Sequence, residues 1–300
     1  MSDPRRTVRG VLSATVLAAR PDFTVTAVTC RDEHPRWSPA EARADHRMVL
    51  VRRGRFRRRA AGADADVDRT LAYVGVPGEE EQFAHPAGGD TCTSLSLTPA
   101  LWRTLAGDPT RAPAAPSVYV DARLDLAHRR LLATATGGDI DYALTEELLA
   151  LLATAIRRAV PGPLPPSTRT PARDRALVDR ARQAIAAGHP AADGLLPLAA
   201  ALGVSPYRLS RCFSRELGLP LTRYRNRVRI GRALDRLEQG ESSLGALAAD
   251  LGFADQAHLT RTMRAYLGRT PTALRRLLAP HPADGSRPEG EFTAPPPPPP

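Results

Sequence analysis

Lysine is missing from this chain. All 42 basic residues are arginine, so no phosphate loop of the form G-x-x-x-x-G-K exists. Cysteine is scarce: Cys30, Cys92 and Cys212 are odd in number, far apart and never in a C-x-x-C pair. That excludes a disulfide framework and a zinc ribbon, and it fits reduced thiols in the cytoplasm. No apolar run approaches the length needed to span a bilayer. No G-x-S-x-G elbow is present, so serine-nucleophile chemistry has no seat.

What is present is positive charge, concentrated in one place. Residues 1–160 hold 22 Arg against 20 Asp and Glu, a net of +2, whereas residues 175–277 hold 17 Arg against 8, a net of +9. A basic segment of this kind neutralises phosphates and releases their counterions, the main source of sequence-independent affinity for nucleic acid. Charge alone leaves a merely well-solvated surface equally open.

The basic segment contains one pattern twice. Leu209 to Gly218 reads L-S-R-C-F-S-R-E-L-G, and Leu259 to Gly268 reads L-T-R-T-M-R-A-Y-L-G, 50 positions later. Each copy follows a short helical run that ends at a glycine, Gly203 or Gly252. That is the trace of a helix, a tight turn and a second helix. In the first unit Ser205 caps the second helix, Pro206 fills its first turn, and Leu209 and Phe213 face inward. In the second unit Asp255 caps, Phe253 plugs the core, and Leu259 and Met263 face inward. The outer faces then carry Tyr207, Arg208, Ser210, Arg211 and Ser214 in the first, and Gln256, Ala257, His258, Thr260, Arg261 and Arg264 in the second. Arginine can grip guanine, and glutamine adenine, with paired hydrogen bonds in the major groove. Between the units one helix, Leu221 to about Gln239, carries Arg223, Arg225, Arg227, Arg229, Arg232 and Arg236. It would span about 28 Å, close to the roughly 34 Å between successive major grooves. Some of its arginines are expected on phosphates and the others in solvent.

Residues 175–277 resemble the DNA-binding domain of AraC/XylS-type transcription regulators. The matching stretches are L-A-A-A-L-G-V-S-P-Y-R-L-S-R-C-F, L-G-L-P-L-T-R-Y, L-A-A-D-L-G-F-A-D-Q-A-H-L-T-R-T-M and the closing G-R-T-P-T-A-L-R-R. The resemblance implies double-stranded DNA as partner. It implies DNA contacts by Tyr207, Ser210, Arg211, Gln256, Ala257, His258 and Arg261, to which helix spacing adds Arg208 on the same outer face, and, as the commonest family outcome, activation through RNA polymerase. Met263 stands where the family usually has phenylalanine, and Leu267 where an aromatic is common. Both departures imply altered packing.

The first half reads differently. Residues 20 to about 97 alternate as short strands (Thr24 to Thr29, Met48 to Val51, a turn at Gly54, Leu71 to Val76, Thr91 to Leu97) separated by Pro77-Gly78, His85-Pro86 and Gly88-Gly89-Asp90, as in a small barrel or sandwich. Arg5, Arg6 and Arg9 before Gly10 to Ala19 imitate a secretory signal. The apolar run is short, interrupted by Ser13 and Thr15, and followed by Arg20, so a leader is not expected. Helices follow from Thr98-Pro99, from Asp125 as cap, and over Asp141 to Val160. The last has a stripe of Leu144, Leu148, Leu151, Leu152, Ala155 and Ile156 that packs on the barrel or pairs with a second subunit. Its place just before the linker favours pairing as a homodimer. H-R-M-V-L-V-R-R-G-R-F, His46 to Phe56, with Pro77-Gly78-Glu79, resembles the cupin-like sensory domains that precede this DNA-binding domain, which implies an unknown small-molecule effector. The His-x-His of metal-dependent cupins is absent, so neither a cofactor nor a catalytic metal is expected. Cys30, His34, His85 and Cys92 could meet in such a barrel and hold zinc. The simpler reading makes the thiols buried apolar groups. The Arg52–Arg59 run reads as a nucleic-acid patch or as a solvated hairpin countered by Asp64 to Asp68 and Glu79 to Glu81.

The expected protein is therefore α+β. A cupin-like barrel with trailing helices (1–160) is followed by a Pro-rich linker (161–174). Two helix-turn-helix units joined by a linker helix come next (175–277), and then a disordered tail (278–300). Its expected function is sequence-specific, effector-responsive transcription regulation in the cytoplasm, without catalysis or membrane contact. The alternatives are a cupin-type or DNA-repair enzyme fused to a DNA-binding domain, and a non-specific architectural DNA binder.

Overall fold

A computed structural model describes residues 12–31, 34–106, 117–136, 140–159 and 172–278. Most of the expected linker and nearly all of the expected tail lie outside these residues. Residues 172–174 instead open a helix, and Leu278 closes one.

The N-terminal half is a curled antiparallel sheet. Its strands are β1 (Leu12–Arg20), β2 (Phe23–Cys30), β3 (Glu41–Ala42), β4 (His46–Arg53), β5 (Arg55–Ala60), β6 (Ala63–Asp68), β7 (Leu71–Gly75), β8 (Glu80–Ala84), β9 (Asp90–Leu97) and β10 (Ser117–Tyr119). The order across the sheet is β1-β2-β9-β4-β7-β6-β5-β8-β3, with β10 on β7. The described part of the run that imitates a secretory signal, from Leu12 on, lies in β1, which pairs with β2.

Strand period explains how one sheet serves two cores. Along β4, Met48 and Leu50 point to one side and Val49 and Val51 to the other, and all four are buried. On the first side Met48, Leu50, Leu95 and Leu97 pack under helices. On the opposite side Val49, Val51, Phe56, Val67, Tyr73 and Cys92 form a smaller core. Arg47 and Arg58 are buried beside that core and both donate to Glu81; Arg58 reaches Glu79 as well, at 2.6 Å. The Arg52–Arg59 run is a hairpin strand answered by acids. Arg59 donates to Asp64 at 2.7 Å and Arg57 to the same carboxylate at 3.0 Å. Strands β6 and β8 escape a hydrophobic reading because those acids occupy them.

Three helices cover the first side. Helix α1 (Pro99–Ala106) starts as expected, with Thr98 Oγ1 accepting from the Leu101 amide at 3.2 Å. Helix α2 (Ala122–Thr136) is capped by Asp121, which accepts from the Leu124 amide at 2.9 Å. Asp125, the expected cap, lies inside the first turn and pairs with arginines instead. Helix α3 (Thr145–Ala159) and the π-helical turn that leads into it (Ile140–Leu144) carry the leucine stripe. Leu144, Leu148, Leu151, Leu152, Ala155 and Ile156 are all fully buried in the core that holds Met48 and Leu95. The stripe packs on the sheet, which corrects the expectation that it pairs with a second subunit.

His128 on α2 is fully buried, with Nε2 2.8 Å from Thr93 Oγ1. Burial, aided by the neighbouring Arg52, pushes its pKa down to about 3. The fold therefore holds a neutral ring, whereas the unfolded chain takes up a proton below about pH 6.5. Its contribution is complete above that pH and is lost between about 6.5 and 3, at roughly 1.4 kcal/mol per pH unit. Urea titrations of wild type and His128→Gln from pH 7 to 4.5 should show a shallower acid loss in the variant. Parallel slopes would refute this assignment.

The helical half runs α4 (Ala172–Ala187), α5 (Leu195–Ala201), α6 (Pro206–Leu217), α7 (Leu221–Glu238), α8 (Leu244–Asp250), α9 (Gln256–Leu267) and α10 (Pro271–Leu278). Two cores organise it. One joins α4 to α5 and α6 through Leu177, Val178, Leu198, Leu209 and Phe213. The other joins the end of α7 to α8, α9 and α10, and it takes in Ala122 and Leu126 from α2 of the first half.

Candidate nucleic-acid interface

Helices α5–α6 and α8–α9 are two copies of one device, built from the same local chemistry. Each supporting helix has seven residues and each second helix twelve. The turns pass through Gly203 and Gly252, both at φ +68°, where a side chain would be strained. Ser205 Oγ accepts from the Arg208 amide at 3.2 Å, and Asp255 Oδ1 from the His258 amide at 2.6 Å, as the capping residues require. Left-handed Gly218 and Gly268 close the second helices. Leu209, Phe213, Leu259 and Met263 are fully buried, so the repeat of apolar residues fixes which face of each helix looks out. Leu267 is buried too, with no aromatic ring needed in its place.

The outward faces differ in how free their side chains are. Tyr207 and Arg211 are exposed and form a pair: the guanidinium lies over the ring, 5.4 Å from its centroid, and donates to Tyr207 Oη at 3.0 Å. Arg208 donates to Asp174 of α4 at 2.9 Å, which ties it to the preceding helix. Ser210 is half-buried. In the second unit Gln256, Ala257 and Arg261 are exposed. His258 is half-buried, set edge-on to Phe253, with Nδ1 accepting from the Ala254 amide at 3.3 Å. Arg208 and His258 thus serve the fold as well as the surface.

Helix α7 has 18 residues and is about 27 Å long. Two of its arginines depart from the expectation of phosphate contact or solvation. Arg227 is buried, donating to the carbonyls of Val120 at 2.8 Å and Arg69 at 3.2 Å. Arg229 is buried, donating to the Leu251 carbonyl at 2.7 Å with its guanidinium 3.8 Å from the Phe253 centroid. Arg232 donates to the Ala186 carbonyl, Arg236 to Asp250 and Glu241, and Arg225 to Asp193. Arg227 and Arg229 are therefore internal struts, Arg225, Arg232 and Arg236 make partly exposed contacts within the chain, and Arg223 is exposed. A sequence shows their spacing but not the partners that the tertiary fold brings to them.

The same helix meets the N-terminal half in a charge cluster. Arg129 of α2, fully buried, donates to Asp235 at 2.7 Å and to Glu238 at 2.6 Å. Arg69 grips Asp235 with two bonds of 2.6 and 2.8 Å, and Arg52 reaches Glu238 at 3.0 Å. Burial opposes ionisation of Asp125, yet Arg227 and Arg129 hold its carboxyl far below the usual range. Nearby, Arg182 of α4 donates to Asp68 at 2.7 Å, and Thr70 Oγ1 lies 3.1 Å from Tyr224 Oη.

Residues 198–277 match the family described as a helix-turn-helix domain. This chain carries an AraC-type DNA-binding domain. The AraC-type unit makes it a DNA-binding transcription regulator. No curated protein matches the chain. Among solved structures it is similar to ToxT from Vibrio cholerae strain SCE256, determined with an unsaturated fatty acid bound. The identity is 9%, over 86% of this chain and 96% of that one, with a TM-score of 0.35. It is similar to the C-terminal domain of AraT, a response regulator from Geobacillus stearothermophilus, at 24% identity over 42% of this chain and 100% of that one, TM-score 0.34. A cupin superfamily protein from Desulfitobacterium hafniense DCB-2 matches at 12% identity over 29% and 77%, TM-score 0.26. Overlap this loose carries no conclusion beyond the AraC-type match itself. Among the described residues no helix is long and apolar enough to cross a membrane.

Proposed function

We propose that α6 and α9 read two successive major grooves from one face of duplex DNA, and that residues 1–160 control how they are presented. The observation that supports this is the pair of capped second helices with matching buried faces, joined by α7, about 27 Å long against the roughly 34 Å between successive major grooves. Tyr207, Arg211, Gln256, Ala257 and Arg261 face outward and supply base-edge contacts. Ser210 lies beside them, and Arg208 and His258 act from the ends of their helices. The units are a sensory domain (1–160) and a DNA-binding domain (175–277), acting in the cytoplasm as a regulator rather than an enzyme.

Control would pass through the joint between them. A cleft of about 670 Å³ lies there, lined by Arg55, Asp68 and Arg69 of the sheet and by Arg180, Gln183 and Arg232 of the helices. A small anionic effector in that cleft would touch both halves at once. It would shift whatever equilibrium exists between their arrangements by its difference in affinity for the two.

The test is a binding series on a specific and a random duplex across salt concentrations. Arg211→Ala and Arg261→Ala are each expected to weaken specific binding by about 1–3 kcal/mol and random-duplex binding much less. Equal loss on both duplexes would demote the two residues to phosphate contacts. A steep salt slope with no sequence preference in the parent would favour an architectural binder.

A further inference from the structure

On the side of the sheet opposite α1, α2 and α3, three chemically matched side chains converge. Cys30 ends β2, His34 lies just beyond it, and His85 follows β8. One ligand atom from each of the three lies within 4.8 Å of the other two. Backbone pairing sets this up: the His34 amide donates to the His85 carbonyl at 3.1 Å and the His85 amide returns to the His34 carbonyl at 2.8 Å. The turn that follows is clamped onto Cys30. A Cβ on Gly89 would stand 2.1 Å from the Cys30 carbonyl oxygen, and one on Gly54 would stand 2.4 Å from the Gly89 oxygen.

His34 is already oriented by its other nitrogen, and His85 has a carboxylate beside its own. His34 Nδ1 lies 3.3 Å from the Arg36 carbonyl, which leaves Nε2 available. His85 Nε2 lies 2.9 Å from Asp90 Oδ1, an oxygen with no hydrogen-bond partner among the described residues, so the carboxylate stands beside the ring without yet bonding it and is placed to orient it once a metal is bound. The opposite nitrogen, His85 Nδ1, is buried and has no hydrogen-bond partner among the described residues, in a side chain about nine-tenths buried. A buried imidazole nitrogen without a partner, next to a cysteine and a second histidine, wants a cation.

We propose that Cys30 Sγ, His34 Nε2 and His85 Nδ1 bind one divalent zinc-class ion, with Asp90 as the orienting carboxylate. On binding, the Cys30 thiol gives its proton to solvent and the thiolate coordinates. With bonds of about 2.0–2.1 Å to nitrogen and 2.3 Å to sulfur, tetrahedral ligands stand roughly 3.3–3.7 Å apart, so closing on the ion takes a shift of about 1 Å. Half-buried His34 is the side from which an ion enters and where a fourth ligand sits. Cys92, also buried nearby, stands outside the group of three. The turn after His85 carries Pro86 and Ala87, which line the clefts between the sheet and α4. A bound ion would therefore stiffen a wall of that joint. The metal site itself stands whether or not the DNA-reading proposal does.

The test uses the full chain stripped by a chelator and titrated with Co²⁺ alone, then with Zn²⁺ alone. One Co²⁺ per chain with a thiolate-to-cobalt charge-transfer band is expected, and stoichiometric Zn²⁺ should displace it. Cys30→Ser should abolish the band, Cys92→Ser should keep it, and Asp90→Asn should weaken affinity about 10–100-fold. His34→Ala, altered at the half-buried ligand, should lose tight binding while keeping the thermal transition of the metal-free chain. No thiolate band at equimolar Co²⁺ would overturn the proposal, as would a band that survives Cys30→Ser or disappears in Cys92→Ser.

Discussion

Replacing Arg129 by alanine is expected to destabilise the protein by about 3–5 kcal/mol, the loss typical of removing one partner from a buried ionic cluster. The residue is fully buried, and its removal leaves Asp125, Asp235 and Glu238 facing each other with less positive charge between them. Asp235 and Glu238 are each about 30% exposed, so water softens their share, and the buried Asp125 carries most of the penalty. Adding Asp125→Asn to Arg129→Ala should recover a good part of the loss, because the uncompensated charge is then gone. Asp125 has its pKa depressed, so its contribution is present above the unfolded value of about 3.9 and disappears as pH falls below it. Between pH 5 and 8 the Arg129→Ala deficit should therefore be flat. Urea unfolding measures all of this. A deficit under about 1 kcal/mol would place Arg129 with ordinary surface ion pairs and sink the picture of a charged clasp between the halves.

The second large effect concerns the leucine stripe. Leu148→Ala should cost about 2–5 kcal/mol, the range for emptying a fully packed leucine site. Oligomeric state by light scattering should stay the same, because Leu148 packs with Met48, Leu50 and Leu95 of its own chain. A change in mass on this substitution would restore the stripe to a subunit interface.

The stripe also shows where sequence reasoning stops. Its period told that Leu144, Leu148, Leu151 and Leu152 share one face, and they do. What covers that face is a non-local question, and the alternating β4 answers it only once folded. Helix α2 teaches the same lesson at smaller scale. Asp121 and Asp125 are both competent caps, four residues apart. The choice falls on Asp121 because Asp125 is drawn to Arg129 and Arg227, the latter more than 100 positions away. Strand β6 was hidden for a related reason: its aspartates look like loop until the arginines of β5 stand opposite them.

The sequence by itself determined the two helix-turn-helix units, down to Ser205 and Asp255 as caps, Gly203 and Gly252 as turns, and Leu209, Phe213, Leu259 and Met263 as the inward set. Those features depend on interactions within a dozen residues, where spacing and side-chain chemistry suffice. Only the tertiary structure decided that Arg227 and Arg229 of α7 are buried struts, that α2 lends Ala122 and Leu126 to the core of the second unit, and that Cys30 meets His34 and His85. Each of these joins residues far apart in the chain, and which distant groups become neighbours is set by the packing of whole elements rather than by any local pattern.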